Sequence, residues 1–519
     1  MKRFEVKVRR WFAGRVVVAA MVAFGVGGVG RVCVAQVADA APLPNAPAAS
    51  QPVAAGFFAR WAAFYREDWK PVPAAGLNAP AAGSGTPTAG SGTPAAGSGT
   101  STAGITAVAP PAPARRGLPS PLDSPPFPNS DWSYGGSPVI GEQDTNSYPL
   151  MTAIDGAKVR TKVYGWVEPT VDFGTSGRSN APEADDPYPN RFELNQAVLY
   201  VERLPDTVQR EHVDWGYHLT ALYGTDYRYT TGKGYFSNQL LGEDRQYGFD
   251  PTLEYVDVYV PRVAQGLNVR VGRFISVPGI EAQLTPYNYM FSHSLLYVID
   301  PFTDTGVMAT VKLSDRWLVQ LGLTAGHDVA LWTPDAQPSG TACVDFTTSS
   351  VNDNFYVCAN GINSGKVAYN NLQQYDATWY HRISKTVHIA TEGYFMYQRD
   401  VPAVGGPVAP EKGTNGAYCR TGETRCTAPE WAVQNYANKE ISAHDFVSFR
   451  SDFLEDKKGQ RTGYATKYSE NTAMWSHWWG TTVQFRPEAR FERAWDRPAY
   501  DLGRKQNQFT VASDLIFHF

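Results

Sequence analysis

Long hydrophobic runs are scarce in this 519-residue chain, and their scarcity is the first constraint on its fold. The mean hydropathy is −0.33, whereas each membrane helix needs about 20 consecutive apolar residues. A bundle of membrane helices is therefore excluded. Charged residues are also few, at 18% of the chain, against roughly 25% in an ordinary soluble domain. Aromatic residues, in contrast, are abundant: 14 Trp, 28 Tyr and 25 Phe give more ring surface than a disordered chain needs.

Sequence motifs of enzymes and metal sites are missing as well. The chain has no HExxH, no GxSxG nucleophile elbow and no EF-hand loop. Its Gly-rich stretch at 81–100 is not followed by the Gly-Lys-Ser/Thr of a phosphate loop. No His or Cys partners stand at zinc-finger spacing. We therefore expect no catalytic residue, no metal and no cofactor, although barrel hydrolases exist and one could lack a familiar motif.

The first 35 residues have the order of an export signal. A cationic head is followed by an apolar run, 16–30, and by small residues that end at Ala35. Fifteen Gly-rich apolar residues are too few to span a bilayer, which argues against the alternative of a membrane anchor. We predict a signal peptide over 1–35. Its removal leaves 39 basic and 49 acidic residues without basic clusters, so nucleic acid is not an expected partner.

Residues 36–116 read as a disordered periplasmic extension. Aromatic residues at helical spacing predict a short helix over 56–70. The Ala/Gly/Ser/Thr/Pro composition of 75–115 predicts a flexible linker, because nothing there can bury enough area to offset ordering entropy. The Pro-rich segment 117–157 is expected to pack on or in a larger domain over 158–519.

From about residue 158 the hydrophobic period changes to two. Val163, Val167 and Val171 alternate with Lys162, Glu168 and Asp172, so one face of the strand contacts an apolar medium and the other a polar one. A soluble sandwich would give the same alternation. The pattern predicts strands over 158–173, 191–203, 213–224, 251–261, 266–275, 303–313, 316–327, 371–382, 386–399, 430–438, 445–454, 471–485, 489–496 and 507–519.

Loop lengths separate a membrane barrel from a sandwich. The connections alternate between short ones (PRVAQG, LSDR, RISKT and RPE) and long ones (225–250, 276–302, 328–370 and 400–429). A meander barrel with short periplasmic turns and long outer loops produces this rhythm. We predict an all-β fold, a transmembrane antiparallel up-and-down β-barrel of about 14 strands, with 12 to 16 compatible with the pattern.

The last strand carries a further signal. Leu515, Phe517 and Phe519 share one face, and the sequence stops on an aromatic residue. Such a strand looks like the insertion signal by which the barrel-assembly machinery recognises outer-membrane barrels. It must pair with the first strand to remove both sheet edges. An ordinary amphipathic edge strand is the alternative.

Five segments carry a resemblance to a known family: 191–206, 269–297, 301–317, 456–463 and 486–496. In this order they are similar to the OmpL-like beta-barrel porins of Gram-negative bacteria, and the likeness spans about 155–519. The resemblance implies an outer-membrane channel with a poorly defined solute. By analogy with such channels, a homotrimer is a candidate assembly, and outer-membrane lipid is the expected surroundings.

A channel needs a polar lumen, and the alternation assigns charged side chains of both signs to it. Facing charges create a transverse field that orients solutes; the alternative is that they form salt bridges that hold the wall together. The candidates are Lys158, Arg160, Lys162, Glu168, Asp172, Asp257, Arg270, Lys312, Asp376, Glu392 and Arg490.

The loop 276–302 is too apolar to be freely solvated. We expect it to fold into the lumen as a constriction that presents Glu281, Tyr287, Tyr289 and His293 to solute. Packing over the rim is the alternative.

Four cysteines follow the signal peptide, all in the two longest predicted outer loops: Cys343, Cys358, Cys419 and Cys426. Four cysteines permit three pairings, and proximity favours Cys343–Cys358 and Cys419–Cys426.

Three functions are compatible with these patterns. The first is a passive porin for small hydrophilic solutes, which is not an enzyme. The second is an outer-membrane barrel hydrolase that acts on lipid or peptide. The third is a plugged structural or adhesive barrel.

Overall fold

The computed structural model describes residues 56–70, 148–155 and 159–519, apart from 184, 351, 365–370, 385, 411 and 443. The predicted signal peptide, the linker over 75–115 and most of the Pro-rich segment lie outside the described residues, as does Lys158.

Helices are few and short in the part of the chain that the structure describes. A twelve-residue helix lies within the segment whose aromatic spacing predicts one. No helix among the described residues is long and apolar enough to cross a membrane. The helices are α1 (Phe57–Asp68), α2 (Pro149–Ala153), α3 (Tyr227–Thr230) and α4 (Asn238–Leu241), with 3₁₀ turns at Thr285–Tyr287 and Tyr297–Ile299.

Seventeen strands make up a single sheet. They are β1 (Lys162–Gly174), β2 (Phe192–Arg203), β3 (Asp214–Gly224), β4 (Gly248–Asp250), β5 (Glu254–Val260), β6 (Leu267–Ile275), β7 (Thr303–Lys312), β8 (Trp317–His327), β9 (Ser339–Thr347), β10 (Asp353–Ile362), β11 (Gln373–Arg382), β12 (Val387–Pro402), β13 (Arg425–Glu440), β14 (Asp445–Asp456), β15 (Thr466–Trp479), β16 (Val483–Ala494) and β17 (Asn507–His518).

The sheet closes on itself. Apart from β4 and β5, each strand pairs antiparallel with its neighbours in the chain, and β1 pairs with both β2 and β17. The ring contains 16 strands, because β4 and β5 pair with the same strand. β4 pairs with the C-terminal residues of β3, and β5 pairs with its N-terminal residues. Pro251, between β4 and β5, has no N–H to donate to β3. The prediction of an all-β antiparallel barrel is confirmed.

The predicted number of about 14 strands is too low by two. The missing pair is β9 and β10, which occupy the segment 328–370 that the loop pattern assigns to an outer loop. Both strands do alternate, with Val344 and Phe355 outward and Tyr356 inward, but their many Asp, Asn, Thr and Gly residues read as turns.

The predicted short connection RPE at 486–488 is also wrong. Arg486 and Glu488 are buried on the inner face of β16, and Pro487 lies opposite Ser513 of β17. The turn is at 480–482 instead, where Gly480 has φ +57. The pattern is misleading because a proline within a strand usually marks its end.

The two faces of the wall differ in chemistry. On β8, Leu321 and Leu323 are 60% and 63% exposed on the outside, whereas Gln320 is buried inside. The same alternation holds on β14, where Phe449 is exposed and Arg450 is buried. Apolar outer and polar inner side chains are the pattern of a barrel that contacts lipid with its outer face.

Phe519 completes the seam between the first and last strands. Its backbone exchanges two hydrogen bonds with Gly165, at 3.1 and 2.9 Å. A Cβ at Gly165 would lie 2.9 Å from the Phe519 ring, so the ring is seated against this glycine.

We expect Phe519→Ala to destabilise the barrel by roughly 1–2 kcal/mol, because a half-buried ring loses its packing at the seam. The urea midpoint of the detergent-solubilised protein and the fraction that migrates as a folded band on unboiled gels measure the effect. Phe509→Ala, which removes an outward ring of β17 at the other end of the strand from the Gly165 contact, is the matched control. Equal midpoints for the two variants would contradict a special role for the seam contact.

Candidate functional site: the barrel interior and its loop

Seven of the predicted lumen residues lie buried on the inner face, namely Glu168, Asp172, Asp257, Arg270, Asp376, Glu392 and Arg490. Lys162 is half-buried near the periplasmic end of β1, with its amine 5.6 Å from the Tyr148 ring centroid. Lys312 pairs with Asp315 of the next turn at 3.6 Å. Arg160 precedes β1, is exposed and pairs with Asp214. The structure therefore places Arg160 and Lys312 at the rim rather than along the lumen.

Most of the inner charges are held by a partner. Arg270 donates two hydrogen bonds to Asp257 at 2.9 and 2.8 Å, and Arg490 binds Glu492 at 2.7 Å. Asp172 accepts hydrogen bonds from the backbone of the first outer loop. These side chains stabilise the wall, as the salt-bridge interpretation predicts.

The interior loop, residues 276–302, is buried inside the barrel from Ser276 to Tyr297. It joins β6 to β7 but contacts the opposite part of the wall. Arg486 of β16 donates to the carbonyls of Thr285, Asn288 and Met290. The side-chain amide of Gln196 of β2 also donates a hydrogen bond to the carbonyl of Gln283 in the loop. The apolar residues of the loop form the largest hydrophobic cluster together with inward rings of the wall.

Arg450 of β14 is the centre of the loop's attachment. Its guanidinium donates to Glu281 at 3.2 Å, to the Ser292 hydroxyl at 3.0 Å and to Glu470 of β15 at 3.0 Å. Glu281 also accepts from the Tyr436 hydroxyl and from the Ser294 backbone. One arginine thus connects the loop to two strands while it is fully buried.

The four predicted constriction residues are buried in these attachments, so the expectation that they face solute is wrong. Glu281 binds Arg450, and Tyr289 makes a hydrogen bond of 2.9 Å with His388. His293 binds Asp185 of the first outer loop. Tyr287 lies edge-on to Trp166, with 6.1 Å between ring centroids. An apolar loop inside a barrel must satisfy its polar groups locally, and these side chains do so.

Arg450, Arg486 and Tyr436 are not among the residues that the sequence patterns single out. Arg450 and Tyr436 lie an even number of residues from the inward side chains of their strands, so the alternation of residue types could have predicted that they face the interior. Arg486 escapes sequence reasoning because its segment resembles a turn.

The contact between the interior loop and the first outer loop depends on protonation. Although burial alone lowers the pKa of His293, the Asp185 carboxylate raises it above the ordinary value. Burial and the charge of Asp185 raise the pKa of Asp226 to about 8. Glu281 also faces His293, and Glu193 also faces Asp226.

We expect this attachment to weaken above about pH 8. The contribution of protonated His293 to the stability of this attachment is complete below the ordinary pKa of histidine. It is lost as pH rises through the raised pKa of His293. Asp226 changes the stability of the folded protein in the same direction. Its neutral form is favoured in the folded protein, and this stabilisation is lost as pH rises through its pKa of about 8. Single-channel records at roughly pH 6 and pH 9 should show larger or noisier open levels at the higher pH, and a smaller difference for His293→Gln. Larger open levels at the lower pH would contradict this interpretation.

The periplasmic end of the interior also contacts parts of the Pro-rich segment and of the N-terminal extension. Tyr148 stacks on Tyr164 of β1 with ring centroids 3.7 Å apart, and Met151 packs in the same cluster. Arg60 of α1 donates to the carbonyl of Ala153 at 2.9 Å. At the other end of α1, Asp68 accepts from the backbone of Thr481 in the β15–β16 turn. The described parts of the extension therefore lie at this mouth of the barrel.

The four cysteines form the two pairs that their proximity favours, Cys343–Cys358 and Cys419–Cys426. Their predicted location is partly wrong. Cys343 and Cys358 are directly opposite each other on β9 and β10, and Cys426 lies in β13. Cys419 alone lies in an outer loop. In the part of the chain that the structure describes, the one group with metal-ligand spacing is Cys419, Glu423 and Cys426, and its thiols are already joined in a disulfide.

Comparison with known proteins finds similar solved structures among outer-membrane proteins. Three similar solved structures are an anion-selective porin from Comamonas acidovorans, the outer membrane channel DcaP of Acinetobacter baumannii, and OmpT, an outer membrane protein of Vibrio cholerae in its trimer form. Their sequence identities are 10%, 10% and 8%, and their TM-scores are 0.44, 0.44 and 0.40. Each alignment covers 69% of this chain and 99%, 97% and 99% of the respective structure. A search of curated proteins finds no match.

The sequence itself identifies the family. The family described as "Putative beta-barrel porin-2, OmpL-like" matches residues 160–519, which is the whole barrel and more than half of the chain. The resemblance carried by the five sequence segments is therefore confirmed. The chain belongs to the OmpL-like beta-barrel porin-2 family of outer-membrane proteins.

Proposed function

We propose that the protein is an outer-membrane channel for the passive diffusion of small hydrophilic solutes. The observation that carries the proposal is a closed ring of 16 strands whose outer face is apolar and whose inner face is polar and charged. Such a wall is stable in lipid, and its polar inner face suits water and hydrophilic solutes. Membership of a porin family supports the same function.

The interior loop is proposed to set the size limit of the channel. It crosses the lumen from β6 and is bound by Arg450 and Arg486 on the far wall. Because these contacts use buried charge-assisted hydrogen bonds, they hold the loop in one position. A fixed loop can exclude large solutes, whereas a mobile one cannot.

We also propose how the protein is exported and assembled. Residues 1–35 direct export and are removed, and residues 36–116 remain in the periplasm. The strand containing Leu515, Phe517 and Phe519 is proposed to bind the barrel-assembly machinery. By analogy with such channels, the barrel assembles as a homotrimer, and the mass of the detergent-solubilised protein tests this point.

Liposome swelling tests the function directly. Proteoliposomes with the full mature chain should swell in isotonic solutions of small sugars, at rates that fall steeply as the sugars become larger. Liposomes with heat-denatured protein are the control. No swelling with any sugar would overturn the proposal and favour the plugged structural or adhesive barrel.

A barrel hydrolase is the second candidate, and one arrangement favours it. Glu202 and His218 lie 3.1 Å apart, and the other nitrogen of His218 is 2.7 Å from the Thr220 hydroxyl. A carboxylate, an imidazole and a hydroxyl in this order are the parts of a nucleophilic site. However, Tyr200 and Tyr255 cover the imidazole, and Thr220 is 3% exposed. Ester or lipid hydrolysis that Thr220→Val abolishes would establish this candidate; equal rates for both proteins would exclude it.

A further inference from the structure

Acidic and basic side chains are unevenly divided between the two faces of the barrel. The whole chain has 50 acidic and 46 basic residues. Among the described residues that are buried, however, 26 are carboxylic acids, five are arginines and none is a lysine. The excess of carboxyl groups is thus concentrated among the buried residues, most of which line the inner face or the loops, and the low dielectric constant there strengthens each charge.

The buried arginines do not remove this excess, because each is engaged by a carboxylate. Their guanidinium groups lie 3.0 Å or less from a carboxylate oxygen, in the pairs Arg270–Asp257, Arg273–Asp250, Arg450–Glu470, Arg486–Asp514 and Arg490–Glu492. Every guanidinium is therefore compensated within the wall. The remaining carboxyl groups set the sign of the interior field.

Three of these carboxyl groups meet where the interior loop returns to the wall. We call Asp300 of the loop, Asp376 of β11 and Glu392 of β12 the acidic trio. A Cβ on Gly279 would lie 3.5 Å from an Asp300 oxygen and 3.6 Å from a Glu392 oxygen, so both carboxyl groups face the same space. Among the described residues, no Lys, Arg or His nitrogen forms a salt bridge with any of the three.

Asp376 is the least compensated member of the trio. It is 3% exposed, its oxygens accept no hydrogen bond from an N–H group or a hydroxyl, and its carboxyl group lies within hydrogen-bond distance of the Glu392 carboxyl group. Two carboxyl groups this close either share a proton or hold a cation between them. Such a group is costly to bury unless a cation compensates it. Its neighbours point to the same need, because burial and the charge of Glu392 raise the pKa of Asp300 well above its usual range.

Glu392 accepts hydrogen bonds from the Ile280 backbone and the Gln434 amide, and Asp300 accepts one from the Gln374 amide. Acceptor oxygens without a partner also lie beside the trio. Thr378 of β11 and Gln434 of β13 are the direct cross-strand neighbours of Glu392. The hydroxyl oxygen of Thr378 and the amide oxygen of Gln434 are buried and have no hydrogen-bond partner. A set of carboxylate, hydroxyl and amide oxygens is the environment that hard metal cations and ammonium groups prefer.

We propose that this channel selects cations over anions, and that the acidic trio is the place where a permeating cation is held. The cation is an inorganic ion or the ammonium group of a small organic solute, since both present positive charge to oxygen. This inference rests on the proposed channel function and adds the class of its substrate.

The reversal potential of the full mature protein in a planar bilayer with a KCl gradient tests selectivity. The expected sign is that of K⁺ preference. Asp376→Asn should reduce the K⁺ to Cl⁻ permeability ratio by roughly twofold or more, because it removes one of the two paired carboxyl groups that hold the cation. Asp315→Asn, the same charge change at an exposed periplasmic turn, should leave the ratio unchanged. Mobility on unboiled gels verifies that each variant forms the barrel.

The outcomes separate the two proposals. A conducting channel that prefers Cl⁻, or one that Asp376→Asn does not change, overturns cation selection at the trio but leaves the channel function intact. A folded barrel without conductance overturns the channel function itself. Added Ca²⁺ and 1,4-diaminobutane then identify the cation class. Block by either that weakens in Asp376→Asn supports the site, and block by neither overturns the trio as a binding site.

Discussion

Deleting residues 281–293 is expected to raise the single-channel conductance by roughly two- to fivefold, because the deletion removes the part of the interior loop that crosses the lumen. The deleted stretch includes Glu281, Ser292 and His293, which bind Arg450 and Asp185. The deletion also removes the carbonyls of Thr285, Asn288 and Met290, to which Arg486 donates. Planar-bilayer recordings at a fixed salt concentration measure the effect.

A deletion in a different outer loop controls for nonspecific loosening of the barrel. Residues 404–410, between β12 and β13, are exposed or half-buried and lie outside the interior. Their removal should leave the conductance as in the full chain. An unchanged conductance after deletion of 281–293 would show that the interior loop does not narrow the channel.

Replacing Arg450 is expected to destabilise the barrel more than Phe519→Ala does. Arg450→Met leaves Glu470 and Glu281 buried without their cation, and breaking a buried ion pair in this way costs about 3–5 kcal/mol. The midpoint of guanidinium unfolding in detergent, followed by circular dichroism, measures the loss.

Two further variants show whether charge is the cause. Arg420→Met removes an exposed guanidinium from an outer loop and should change the midpoint little. The triple variant Arg450→Met, Glu470→Gln, Glu281→Gln should recover much of the loss, because two of the three buried carboxylates that pair with Arg450, all but Asp452, are then neutral. A triple variant as unstable as Arg450→Met alone would mean that packing, and not charge, is what Arg450 contributes.

The alternation of residue types predicts the wall of the barrel because it follows directly from the two media on either side. The inward positions of Glu168 and Asp376 and the outward positions of Leu321 and Trp475 can be assigned from the period of two alone. The strand number cannot, because β9 and β10 contain the residues that also form turns. The turn at 480–482 is not predicted for a related reason. Proline usually marks the end of a strand, but Pro487 lies within β16.

The contacts of the interior loop cannot be predicted from the sequence pattern. Its apolar composition indicates that it leaves the solvent, but the partners that hold it are far away in sequence. Arg450 is 158 residues from Ser292, and Asp185 is 108 residues from His293. Only the closed ring brings these groups together, so the sequence predicts constriction residues that face solute when in fact they are bound to the wall.

The most direct test of the channel is a single-channel recording of the full mature chain in a planar bilayer. We expect discrete, ohmic conductance steps as each folded barrel inserts, because the charged inner wall encloses a passage for ions. A protein that inserts, migrates as a folded barrel on unboiled gels and yet gives no steps at any voltage would contradict the account, since its interior would then be closed.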